Sequence, residues 1–156
     1  MKRTDQKSHC PVNSALEVVG DPWSLLVVRD IVFYGKHTFG EFLASEERIT
    51  TSVLADRLAK LVSSGILSKR RSPADRRREF YSLTGKGLAL IPLLVELANW
   101  GVRHDPEVVE NPLWTRKVET DRTGLYGLIH DTVVAGGSVW RGKDSVIEQL
   151  ERANDP

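Results

Sequence analysis

The sequence predicts a mainly α protein carrying one small β-hairpin. Three observations lead there: two apolar-striped segments either side of a short polar turn within 39–65, two short strand-like runs directly after them, and further segments of helical periodicity on both flanks. At 156 residues, 40% apolar and 28% charged, the chain has the size and balance of one globular domain with room for an appendage.

In chain order, Cys10-Pro11 opens a first helix, with proline at the favoured first helical position and Gly20 as the stop. Ala15, Leu16, Val18 and Val19 form its apolar side. Asp21-Pro22 starts the next helix as cap and first residue; Trp23, Leu26, Val27 and Ile31 line one face, and Gly35 ends it. Both helices carry enough apolar surface to require packing on the pair that follows.

That pair runs from Phe39 to Gly65. Thr38 and Glu41 have the spacing of a capping box, and Phe39, Phe42 and Leu43 share a face. Ser45-Glu46-Glu47-Arg48 is a polar turn, Ile49 points to the core, and Thr50 is placed to cap the second helix. Leu54, Leu58 and Leu61 make its buried stripe, and Gly65 stands where a left-handed residue terminates it. Thr51, Ser52, Ala55 and Asp56 are left on the opposite face, small enough for a helix to approach base edges. A plain helical hairpin would account for this stretch alone.

After Gly65 the period changes. Ile66 to Arg71 and Glu79 to Leu83 read as strands joined by Ser72-Pro73-Ala74-Asp75-Arg76-Arg77-Arg78. A helix-turn-helix followed at once by a basic hairpin is a winged helix, which lays a helix in the major groove and a wing on the backbone or minor groove. Thr84 then caps a long helix reaching about Trp100, striped by Leu88, Ile91, Leu94, Val95 and Ala98 and bent at Pro92. It lacks an evident partner within one chain, and a second copy would serve. Residues 102–123 read as a linker, Leu125 to Ala135 as helix or strand, and Lys143 to Ala153 as a terminal helix. Trp114 and Trp140 imply that this part is folded or docked. The expected division is 8–102 for DNA binding and dimerisation, and 103–156 for a C-terminal extension of unassigned role.

A net charge of +1 conceals an asymmetry. Residues 48–86 hold ten basic side chains (Arg48, Arg57, Lys60, Lys69, Arg70, Arg71, Arg76, Arg77, Arg78 and Lys86) against Asp56, Asp75 and Glu79, a surplus of seven that the remainder offsets by six. A local surplus of that size suggests a polyanion-binding face. The expected contacts are Thr50, Thr51, Ser52, Ala55, Asp56, Arg57 and Lys60 on the helix, with Arg70, Arg71, Arg76, Arg77 and Arg78 on the wing. His9, His37, His104 and His130 show no metal-ligand spacing, and the chain holds neither a glycine-rich phosphate loop nor a nucleophile elbow. Neither catalysis, a metal nor a cofactor is therefore expected. The N-terminus lacks a signal-peptide core and no apolar run would span a membrane, so a cytoplasmic protein without a membrane partner is expected.

The order and spacing of Cys10-Pro11, Ala15-Leu16, Gly20 and Trp23, Phe39-x-x-Phe42-Leu43, Ile49-Thr50, Leu54-x-x-Arg57-Leu58-x-x-Leu61, Gly65-Ile66-Leu67, Tyr81-x-Leu83-Thr84-x-x-Gly87 and Trp100-Gly101 resemble the HxlR-type winged-helix transcriptional regulators, over about two thirds of the chain. The resemblance implies a homodimer built through the first helix and the helix ending at Trp100, a palindromic DNA operator, and repression more often than activation. It implies that Thr50, Thr51 and Ser52 begin the recognition helix, with Arg57 toward phosphate. Some members sense electrophiles or oxidants through a cysteine placed like Cys10. A thiol at a helix N-terminus beside Lys7 and His9 favours thiolate, and as the single cysteine it could form only an intersubunit bridge, an adduct or a mixed disulfide. Asp21-Pro22, Ser52 and Ala55 depart from the family pattern. The wing looks more like that of MarR-type regulators, in which an aspartate orients an arginine for the minor groove, as Asp75 and Arg77 would. A MarR-type, small-molecule-responsive regulator and a winged helix serving protein contacts alone are the alternatives.

Overall fold

The computed structural model describes residues 8–154. Lys7, named above as a neighbour of Cys10, lies outside them. The element order is α1 (Pro11–Val19), α2 (Pro22–Tyr34), α3 (Phe39–Leu43), α4 (Thr51–Ser63), β1 (Leu67–Arg71), β2 (Glu79–Leu83), α5 (Gly85–Leu88), α6 (Ile91–His104), α7 (Pro112–Thr120), α8 (Arg122–Val134) and α9 (Val146–Asn154). This is the mainly α winged helix the sequence predicts.

Helix α2 is the axis of the molecule. The sequence gives it one apolar face; in the fold Ser24, Val27, Val28, Asp30, Ile31, Val32 and Phe33 are all buried, because α1, α4, α6 and β2 pack around it. Phe42 and Ile49 from the helix-turn-helix, Leu54, Leu58 and Leu61 from α4, and Ile91, Leu94 and Val95 from α6 close one continuous core. The two strands pair antiparallel from Leu67↔Leu83 to Arg71↔Glu79, and a single bridge, Thr38↔Phe80, adds the stub of a third strand. His37 belongs to that junction: its carbonyl accepts from the Tyr81 amide at 2.8 Å.

Helix α4 ends as expected. Gly65 takes φ +74°, its amide donates to Val62 O, and the Ile66 amide reaches back to Leu61 O, so two orphan carbonyls are satisfied while the Leu61 and Ile66 side chains are both buried in the core. The long helix expected from Thr84 to Trp100 is instead two. Thr84 caps α5 by accepting from the Gly87 amide, α5 stops after four residues, and Pro92 lies in the first turn of a new helix. There its missing N–H is one of the helix's orphans, and no interior proline cost arises.

The linker expected over 102–123 is also corrected. Helix α6 continues to His104, and Asn111 caps α7, its side chain accepting from the amides of Leu113 and Trp114. The segment 125–135, open between helix and strand, is helical, and the terminal helix begins at Val146 rather than Lys143. The extension is docked as the two tryptophans suggest: Trp114 and Trp140 meet the Phe33 ring edge-on at 5.7 and 6.3 Å. The amides of Val139 and Trp140 also donate to the carbonyls of Val32 and Phe33, which the end of α2 leaves unpaired.

Helix α1 is the exception to the packing rule. Only Val19 of its apolar side is buried, while Val12 and Leu16 are 65% and 58% exposed. On α6, Leu93, Leu97 and Trp100 are likewise open to solvent.

Candidate nucleic-acid interface

The turn between α3 and α4 is held by a polar network centred on the buried Asp30, which sequence reading missed. Asp30, 2% exposed, accepts from Arg29 Nε at 3.0 Å and Nη2 at 2.6 Å, from Lys36 Nζ at 3.2 Å, and from the Ser45 hydroxyl. Arg29 continues to both carboxylate oxygens of Glu47, so α2 is tied to both ends of the turn. Burial opposes the charge on Arg29, but hydrogen bonds to Glu47 and Asp30 outweigh it and raise its pKa. The hydrogen bond from Arg29 in turn holds the Glu47 carboxyl below its usual range. Arg48 closes the turn with φ +56°, its amide donating to Ser45 O. Nothing in the local sequence marks Asp30 as the hub; only its tertiary neighbours do.

This frame sets α4 with Leu54, Leu58 and Leu61 inward and Thr50, Thr51, Ser52, Ala55 and Asp56 exposed together on the outer face. Thr50 occupies the capping position, yet its side chain makes no capping bond. It lies 3.5 Å from the Ser52 hydroxyl, leaving the first amides of α4 open toward that face. The expected cap is thus absent. Arg57 and Lys60 do not join this face. They turn toward the N-terminus of α2, where Asp21 Oδ2 lies 3.5 Å from Arg57 Nη1 and 3.6 Å from Lys60 Nζ.

The wing presents its cations more openly. Arg70, Arg71, Arg76, Arg77 and Arg78 are exposed; among the described residues none of them makes an ion pair with a carboxylate, although Arg71 stands opposite Glu79 and, after the hydrogen bond from Lys69, its charge helps to lower that carboxyl's pKa. Lys69 is 3.1 Å from Glu79, and Lys86 donates to Ser64 O at 2.7 Å, where it caps α4. Asp75 accepts at Oδ1 from the backbone amide of Arg77 at 3.0 Å, and the Arg78 amide donates to Asp75 O. The aspartate therefore shapes the turn backbone, in place of the guanidinium contact suggested by the MarR-type comparison.

Cys10 is exposed and unpaired at the N-cap of α1, with its side chain making no capping bond, and His9 beside it is exposed. No helix among the described residues is long and apolar enough to cross a membrane.

Against known proteins, the profile of the HxlR-like helix-turn-helix family matches residues 18–108, more than half of the chain. Rv3095 of Mycobacterium tuberculosis, an uncharacterized HTH-type transcriptional regulator, is 35% identical over 105 residues, covering 67% of this chain. The match spans 65% of that relative's own length, just under two thirds. The crystal structure of PA1607, described as a transcription factor, superposes with a TM-score of 0.61 at 38% identity over 67% of this chain and 73% of that one. The redox regulator HypR in its oxidized form superposes at 0.56 with 29% identity, over 61% of this chain and 97% of its own.

Proposed function

The chain belongs to the HxlR-like helix-turn-helix family, a family of DNA-binding transcriptional regulators and not of enzymes, and from that premise we propose that it is a cytoplasmic repressor that binds a palindromic operator as a homodimer. The observation that carries the reading is the outer face of α4. Thr50, Thr51, Ser52, Ala55 and Asp56 form a small-residue surface beside open helix amides, with a wing whose tip arginines, Arg76, Arg77 and Arg78, have no carboxylate ion-paired to them among the described residues. Helix amides and wing guanidinium groups suit phosphates, and small side chains let the helix reach base edges.

Residues 8–102 form the DNA-binding and dimerising unit in this reading, and the described part of the 103–156 extension braces α2 through Trp114, Val139 and Trp140. The exposed apolar side chains support the dimer: Val12 and Leu16 on α1, with Leu93, Leu97 and Trp100 on α6, repeat at three- and four-residue spacing. A two-fold axis through these helices would place two α4 helices in successive major grooves about one turn apart. Cys10, at the open end of α1, is the proposed point of attack for an oxidant or electrophilic effector. Its exposure and the likeness to HypR support that role.

The test is fluorescence anisotropy on DNA from upstream of the protein's own coding sequence, against a scrambled duplex, at two salt concentrations. Selective, salt-sensitive binding is expected. Absence of selectivity and of binding in low salt would favour a winged helix serving protein contacts. For Cys10, diamide treatment is expected to change operator affinity in the parent and leave Cys10→Ser unaffected; equal responses would remove the thiol from the mechanism.

A further inference from the structure

Among the described residues, Asp21 is the one carboxylate outside α4 that is ion-paired to cations of that helix, and its bonding is unusual. Oδ1 accepts from the Ser24 amide at 2.9 Å and Oδ2 from the Ser24 hydroxyl at 2.6 Å, which is ordinary N-capping of α2. The same Oδ2 is approached by Arg57 Nη1 at 3.5 Å and Lys60 Nζ at 3.6 Å. These separations are too long for charge-assisted hydrogen bonds, which close to about 2.7–2.9 Å.

Arg57 is correspondingly under-bonded. Its Nη2 lies 3.6 Å from Asp56 Oδ2, its Nε is buried without an acceptor, and it donates no hydrogen bond to any described residue. A guanidinium that is charge-compensated yet lacks acceptors is poised to accept a better anion. Arg57 and Lys60 are three apart on α4, so they lie on one flank of the helix beside its outer face.

We propose that Asp21 stands in for a DNA phosphate: it holds Arg57 and Lys60 against the N-terminus of α2 in the free protein, and docking on DNA exchanges this carboxylate for the backbone. The inference rests on the DNA-binding reading above. The direction of the exchange follows from the chemistry. A phosphate offers unoccupied oxygens that Arg57 can engage in bidentate fashion, whereas both Asp21 oxygens already serve Ser24. Asp21 cannot follow the cations outward, because its carboxylate caps α2. It therefore lowers affinity for every sequence alike, sparing the cell from tight non-specific binding.

Asp21→Asn is the informative variant, since asparagine caps a helix about as well as aspartate while removing the charge. It would be measured on a random-sequence duplex of 24 base pairs, across a salt series, with melting curves to confirm the fold. Binding at 0.1 M salt is expected to tighten about three- to tenfold, the release of two loose ion pairs, with the logarithmic salt slope steeper by about one. The discriminating readout is a double-mutant cycle with Arg57→Gln/Lys60→Gln. The loss caused by removing the two cations is expected to be larger in the Asp21→Asn background than in the parent. Equal losses in both backgrounds would reduce Asp21 to a contribution to net charge, and unchanged or weaker binding by Asp21→Asn would also overturn the proposal. If the parent binds and only the cycle is additive, the regulator reading stands without this device. If neither protein binds DNA at low salt, both fall together.

Discussion

Gly87 shows how closely the wing is fitted to the helix-turn-helix. A Cβ built there would lie 2.3 Å from Ile66 O and 2.8 Å from the Leu83 side chain, and the carbonyl cannot move because the Thr84 amide donates to it. Gly87→Ala is expected to lower stability by about 1–3 kcal/mol in chemical denaturation, the usual range for overpacking. Glu41 and Glu47 are among the carboxylates that make this region sensitive to acid, as are Asp21 and Glu79. At Glu41, burial raises the pKa, but hydrogen bonds from the amides of His37 and Thr38 outweigh it and lower the result; Glu47 is lowered chiefly by its hydrogen bond from Arg29. A depressed carboxylate contributes stability that is fully present above its unfolded value, about 4.3, and is lost as pH falls through the folded value. Glu41→Gln keeps the capping geometry, so it is expected to flatten the stability profile below about pH 5. A melting-temperature series from pH 7 to 3 checks this, and an unchanged slope would place the acid sensitivity elsewhere.

At the scale of elements, the wing and the extension make different kinds of contribution. Arg76 and Arg77 stand on a turn organised by Asp75 and Ser72, with no anionic partner among the described residues, so their charge is available to a polyanion. Replacing both by alanine is expected to weaken binding to all duplexes and to reduce the salt slope by about one unit per lost phosphate contact. Changes at Thr51 or Ser52 are instead expected to redistribute affinity among sequences, read by competition between operator and scrambled DNA. The extension acts through packing. Trp114 is 4% exposed and meets both Phe33 and Trp140, so Trp114→Ala is expected to cost about 3–5 kcal/mol, measurable by urea denaturation. A loss near zero would mean that the extension docks without stabilising α2.

For the whole molecule, the apolar residues that the fold leaves open are the informative ones. Leu97 is 47% and Trp100 65% exposed on a helix whose other side buries Ile91, Leu94 and Val95. Leu97→Glu or Leu16→Glu is expected to give a folded monomer by light scattering and to lose operator affinity, because two half-sites are then no longer bound as one unit. A variant that stays dimeric would move the two-fold axis to another surface.

The sequence by itself determined the α-helical class, the capping box at Thr38 and Glu41, the Gly65 stop, the hairpin and its basic tip, because each of these is a local matter of periodicity, capping and turn chemistry. Its misreadings were local as well: proline at 92 looks the same inside a helix as at the start of one, and Asn111-Pro112 is as good a helix start as a linker break. Only the tertiary structure decided that α2 is buried on nearly every side, that Asp30 organises the turn before α4, and that Arg57 and Lys60 face Asp21 and not the outer surface of α4. The physical reason is common to all three. Burial and charge pairing depend on neighbours distant in the chain, and no local pattern records which carboxylate a cation will meet.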